Sequence, residues 1–134
     1  MKNTEDIDTP VMCEVELTKP KFIVHKFVSE ITEHKIVFQV IKMIDSLFIY
    51  INDKDRLQFS DLSFAMTNRY DKCPTGTTLI GNFSEEVSKN IACRISKKVN
   101  KAVYLSCNVE QDRLLIPLIE KRLYEEIKSY PDKF

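Results

Sequence analysis

The sequence predicts one α+β domain, a six-stranded antiparallel sheet with two helices packed on one face and the other face used for dimerisation. Three observations carry that expectation. Six segments are rich in Val, Ile, Phe, Leu and Tyr and are separated by short polar turns, as strands are. Two later stretches place apolar residues at four-residue spacing, as buried helix faces do. Several strand segments are apolar on both sides, more than two helices can cover.

Phe22–Ile31 and Ile36–Ile44 form the first two strands, with Thr32-Glu33-His34-Lys35 as the turn between them. Asp45-Ser46 breaks the run, and Leu47–Ile51 resumes as a third strand before the charged turn at 52–56. Leu62–Thr67 alternates Leu62, Phe64 and Met66 against Ser63, Ala65 and Thr67, the period of a half-buried strand. A loop through Pro74 and Gly76 leads to a short strand at Thr77–Ile80, and Ala102–Val109 supplies the sixth. The first helix is expected over 84–99, with Ser84 as N-cap, Glu85 and Glu86 in the first turn, and Val87, Ile91 and Ile95 as its apolar stripe. The second is expected over 117–129. Pro117 occupies its first position, Ile116, Ile119, Leu123, Ile127 and Tyr130 are buried, and Pro131 ends it. Hairpin-length connections point to an antiparallel meander.

Residues 1–20 carry five acidic and two basic residues with Pro10 and Pro20, and read as a flexible acidic arm with an extended stretch at Val11–Leu17. Residues 21–134 then form the single α+β domain. The whole chain is 134 residues, 43% apolar and 30% charged, within the range of one globular domain. Twenty basic and twenty acidic residues cancel. That balance argues against a nucleic-acid or anionic-membrane partner, which would require a basic excess on some face. The polar, acidic start is unlike a secretory leader, and no apolar run approaches the ~20 residues of a membrane span. The expected address is the cytoplasm or nucleus. There the widely spaced Cys13, Cys73, Cys93 and Cys107 stay reduced.

A search for chemistry finds no site. His25 and His34 lie on a strand and in a turn, with no metal-ligand spacing between histidines and cysteines. His25 reads as a strand residue with a satisfied ring, Cys93 and Cys107 as packing residues, and Cys73 as a loop thiol without a histidine partner. Phosphate-cradling glycine loops are absent. No cofactor, metal or catalytic residue is assigned, and the protein is not expected to be an enzyme.

What stands out is the second apolar side of the strands. Ile36, Phe38, Val40 and Ile44 oppose Val37, Ile41 and Met43; Leu47, Ile49 and Ile51 oppose Phe48 and Tyr50; Val103, Leu105 and Cys107 oppose Ala102 and Tyr104. A large apolar surface of this kind marks an interaction site. A second subunit is the expected cover, the alternative being the N-terminal arm or a loop of the same chain. Phe48 and Tyr50, large aromatics on one side of the third strand, are the first partner-interface residues expected. Arg94, Lys97, Lys98 and Lys101 form a local basic patch whose open roles are helix-dipole complementation and solubility, docking on an acidic protein surface and, a distant third, nucleic-acid contact.

From Asp45-Ser46-Leu47-Phe48-Ile49 onward the sequence resembles the proteasome assembly chaperone 4 family. Ala65-Met66, Arg69-Tyr70-Asp71 with Pro74, Leu79-Ile80-Gly81, Asn100-Lys101 with Val103, Glu125-Glu126 and Pro131-Asp132-Lys133-Phe134 continue the likeness in order. The acidic arm departs from the family pattern, and the segment after Gly81 looks abbreviated. The resemblance implies a six-stranded antiparallel sheet flanked by helices, heterodimerisation with proteasome assembly chaperone 3, and a scaffold role toward α-subunits of the 20S proteasome during α-ring formation. A homodimer in isolation is a further expectation. The penultimate Lys133 stands where some assembly chaperones carry a tyrosine-containing docking tail, so that tail mechanism is not carried over. Two competing readings are a longin- or roadblock-like dimeric trafficking module and a small cysteine-dependent enzyme.

Overall fold

The structure is a computed structural model and describes residues 15–110 and 112–134. Cys13, Gln111 and most of the acidic arm, including Val11–Glu14 of its expected extended stretch, lie outside those residues. Six strands form one sheet: β1 (Ile23–Ile31), β2 (His34–Lys42), β3 (Ser46–Asp53), β4 (Leu62–Met66), β5 (Thr75–Ile80) and β6 (Ala102–Cys107). Among the described residues there are also two helices, α1 (Val87–Val99) and α2 (Leu115–Ser129), and a 3-10 turn at Pro131–Lys133.

The sheet order is β1-β2-β3-β6-β4-β5. Neighbours are antiparallel except β3 and β6, which run parallel, with Ile49 opposite Leu105 and Ile51 opposite Cys107. The sheet is therefore mixed, which corrects the expected meander. The physical reason lies in connection length. The β1-β2-β3 and β4-β5 turns are short enough for antiparallel pairs. Between β3 and β6 the chain runs through a hairpin and a helix, long enough for a parallel return.

The β1–β2 turn is tighter than expected, just Thr32 and Glu33, both at positive φ (44° and 70°), the geometry that matches strand twist in two-residue hairpins. Helix α1 starts three residues later than expected. The Asn82 side-chain oxygen takes both the main-chain N–H and the hydroxyl of Ser84, so Ser84 closes a turn and does not cap the helix. At its other end Asn100 adopts the left-handed conformation (φ 55°) and donates its N–H to Ser96. Helix α2 starts two residues earlier than expected, at Leu115, with Pro117 third. That position is tolerated because the first four N–H groups of a helix have no intrahelical acceptor.

Both helices lie on one face. Ile36, Phe38, Val40, Leu47, Ile49, Ile51, Val103 and Leu105 are fully buried there against Ile91, Ile95, Ile119 and Leu123. Tyr130, just past the end of α2, is exposed and Glu126 on it is buried, the reverse of a purely apolar stripe. Ile44 lies beyond β2 and is exposed. Each buried branched side chain contributes about 1.5–3 kcal/mol, so this layer stabilises the domain. No helix among the described residues is long and apolar enough to cross a membrane.

Candidate protein-interaction face

The opposite face of the sheet is built by alternation. With Ile49 and Ile51 turned to the helices, Phe48 and Tyr50 must turn away, and the pairings Ile41–Phe48, Phe48–Tyr104 and Tyr104–Phe64 extend one row across four strands. The Phe64 and Tyr104 rings lie 4.7 Å apart between centroids. Val37, Ile41, Phe48, Phe64 and Tyr104 are half-buried, while Val24, Val28 and Met66 are exposed by about half. Among the described residues no helix packs on this side.

A loop covers one end of it. Residues 54–61 leave β3, cross the C-terminal end of β6 and enter β4. Tyr50 donates its hydroxyl to the Gln58 carbonyl (2.8 Å), and the buried Asn52 amide donates both to that carbonyl (2.8 Å) and to the Tyr50 oxygen (2.6 Å). Asn108 accepts the Ser60 N–H at its side-chain oxygen (2.9 Å), and its carbonyl accepts from Gln58 Nε2 (3.0 Å). The Ser106 hydroxyl donates to the Asp61 carbonyl (2.5 Å). Asp61 in turn accepts the Ser88 hydroxyl from the first turn of α1. Burial pushes the Asp61 carboxyl up to about 6, with the Glu85 charge adding to it, against hydrogen bonds from the Cys107 and Leu62 main chain. Of the two expected interface aromatics, Phe48 lies on the uncovered part of the face. Tyr50 lies at its rim, stacked on Phe59 at 6.2 Å and bonded to the loop. The aromatics Phe64 and Phe59 and the edge valines Val24 and Val28 complete this surface without having been singled out in the sequence. Phe64 was legible in the alternation of β4, but its direction was not.

The basic patch is divided by the fold. Arg94 forks onto Glu120 of α2 (2.5 and 2.8 Å), which holds its guanidinium still more firmly protonated. Lys98 sits over the Tyr124 ring, 5.1 Å from its centroid. Lys101 donates to the Phe134 main-chain oxygen (3.0 Å), and burial lowers its ammonium. Lys97 projects from α1 exposed. Arg94 and Lys98 thus meet one Glu120–Tyr124 pair on α2, whose hydroxyl and carboxylate are themselves bonded (3.1 Å).

His25 bonds Glu126 through Nε2 (2.8 Å) and lies among Phe27, Tyr130 and Phe134. Arg122 donates to the other Glu126 oxygen (2.8 Å). Burial raises the Glu126 carboxyl, and these two donors outweigh it, holding the group below the ordinary glutamate value. His34 is 3.2 Å from Asp53 at an exposed turn. Burial pushes the Cys107 thiol up to about 12 and raises that of Cys93, away from the reactive thiolate. Cys73 is exposed in the β4–β5 loop. Among the described residues no group of three His, Cys, Asp or Glu could hold a metal ion.

The fold and this face define a class: a small two-layer α+β domain whose described residues leave one side of the mixed sheet without a helical cover. Residues 35–109 match the family model described as proteasome assembly chaperone 4. The human proteasome assembly chaperone 4 is 35% identical over 111 residues, covering 82% of this chain and 89% of that protein. The mouse protein of the same name is 34% identical over the same length. The chain belongs to the proteasome assembly chaperone 4 family. A chain in the crystal structure of a novel chaperone complex for yeast 20S proteasome assembly has the same fold. Its TM-score is 0.67 at 12% identity, over 82% of this chain and 98% of that one.

Proposed function

We propose that this protein is a non-catalytic cytoplasmic chaperone that heterodimerises with proteasome assembly chaperone 3, and that the pair scaffolds 20S proteasome α-ring formation by holding α-subunits. The observation that carries the reading is the apolar row Ile41, Phe48, Tyr104 and Phe64, which runs across the sheet with no helix over it among the described residues. Such a surface is costly to leave in water and suits a partner's apolar side. Family membership supports the proteasome as the object of assembly, as does the origin of the yeast structural relative in a chaperone complex. Lys97, exposed on the helical side, offers a separate contact to an acidic α-subunit surface.

The test is mass spectrometry of what the tagged protein retains from cells. Recovery of proteasome assembly chaperone 3 together with 20S α-subunits is the expected result. Recovery of GTPase regulators without proteasome subunits would favour the trafficking reading, and a chain that stays monomeric and retains neither would remove the heterodimer.

A further inference from the structure

We infer that the 54–61 loop is a preorganised clasp that closes over the edge of the partner subunit, with Leu57 and Phe59 as its contacts and Tyr50 as the residue that positions it. The inference rests on the sheet-face reading given above and names a part of that interface lying outside the strands.

The loop combines two features that seldom occur together. Its main chain is tied down at Gln58, Ser60 and Asp61 by Tyr50, Asn52, Ser106 and Asn108, three of these four being fully or almost fully buried. Yet its two largest apolar side chains are turned out, Leu57 at 69% exposure and Phe59 at 50%. A loop that needed only to cross the sheet end would bury those groups or replace them by polar ones. A loop held rigid while presenting them has already met the ordering cost of binding, which raises affinity.

Size points to the same occupant. The uncovered part of the four central strands is about 20 Å wide and about 20 Å long from strand spacing and rise. That is on the order of 400 Å² in projection, against ~800 Å² per partner in a stable complex. The four-strand row falls short of that, and the exposed β1 valines Val24 and Val28 extend it on one side. The clasp adjoins it without a gap, since Phe59 stacks on Tyr50 and Tyr50 pairs with Ser106 beside Tyr104 in the sheet. The loop extends the area at the strand ends, and its occupant is the same partner subunit that covers the row.

Tyr50 acts through the clasp. Its hydroxyl bonds Gln58 and accepts from Asn52, so Tyr50→Phe keeps the ring and the stack but removes both bonds. The experiment titrates purified proteasome assembly chaperone 3 from the same organism against four variants, with thermal melting of each alone. Leu57→Ser and Phe59→Ser should each weaken binding about tenfold or more with melting little changed, as exposed sites allow. Tyr50→Phe should weaken it several-fold, mainly through faster dissociation, a readout that simple loss of stability would not move. Phe48→Ala is the separate control on the face. If Phe48→Ala weakens binding and the two serine variants bind as wild type, the clasp is overturned and the face reading stands. If none of the four weakens binding, both fall.

Discussion

Asp61 shows how one side chain joins three elements. Its carbonyl anchors the loop to β6 through Ser106, its carboxylate receives Ser88 from α1, and the next residue opens β4. Its folded value of about 6 lies above the ordinary aspartate value of about 3.9. The folded state therefore holds the proton more tightly than the unfolded chain. Stability contributed by this group is fully present below about pH 4, is lost as pH rises through about 6, and is level above that. Asp61→Asn cannot ionise, so its melting temperature should lack the part of the decline between pH 4 and 6 that wild type shows. Parallel melting curves of the two proteins against pH would contradict this. The aspartate is visible in the sequence as one of several charges in a turn. What shifts it is burial first, with the Cys107 and Leu62 main chain opposing and the Glu85 charge adding; Cys107 and Glu85 are more than twenty residues away, and no local pattern points to them.

At the scale of elements, the placement of α1 explains which side of β4 faces in. The Leu62, Phe64, Met66 set is the larger and looks like the core side of a strand. Instead the small residues Ser63 and Ala65 are buried beneath the helix, beside Gly76 of β5. A helix that packs this closely to the sheet needs small residues below it, and the large ones are left for the other face. Period-2 alternation gives the two sets but not their direction, and only the position of α1 settles that. Gly76 tests the close approach. A Cβ there would lie 2.5 Å from Cys93 Sγ and 3.0 Å from the Lys89 side chain. Gly76→Ala should cost about 1–3 kcal/mol through overpacking. Adding Cys93→Ala should restore most of that loss if the sulfur is the obstacle, and denaturant unfolding of the single and double variants measures the coupling. The helix ends were less legible than the helices. Ser84 has the right chemistry for a cap, but Asn82, two residues earlier, captures it first.

For the whole molecule, the strands and helices of the described residues and the two apolar faces were legible, because burial imposes periodicity on a chain. The parallel insertion of β6 between β3 and β4 was not, since no residue type distinguishes a parallel from an antiparallel neighbour at this length. That insertion matters for function: it brings Tyr104 between Phe48 and Phe64 and turns three separate strand sides into one row. The surroundings of the basic patch were illegible for a related reason. Arg94 and Lys98 are neighbours on α1, and Glu120 and Tyr124 of α2, bonded to each other, receive them. The central claim is that this row is covered by a partner subunit and not needed for folding. Its most direct test is the affinity of Phe48→Ala and Tyr104→Ala for purified proteasome assembly chaperone 3, measured beside their thermal melting. Loss of about 2 kcal/mol or more in binding, roughly thirtyfold, from variants that melt close to wild type is the predicted result. Variants that lose about 3–5 kcal/mol of stability, as buried aromatics do, yet bind with wild-type affinity where folded would contradict it.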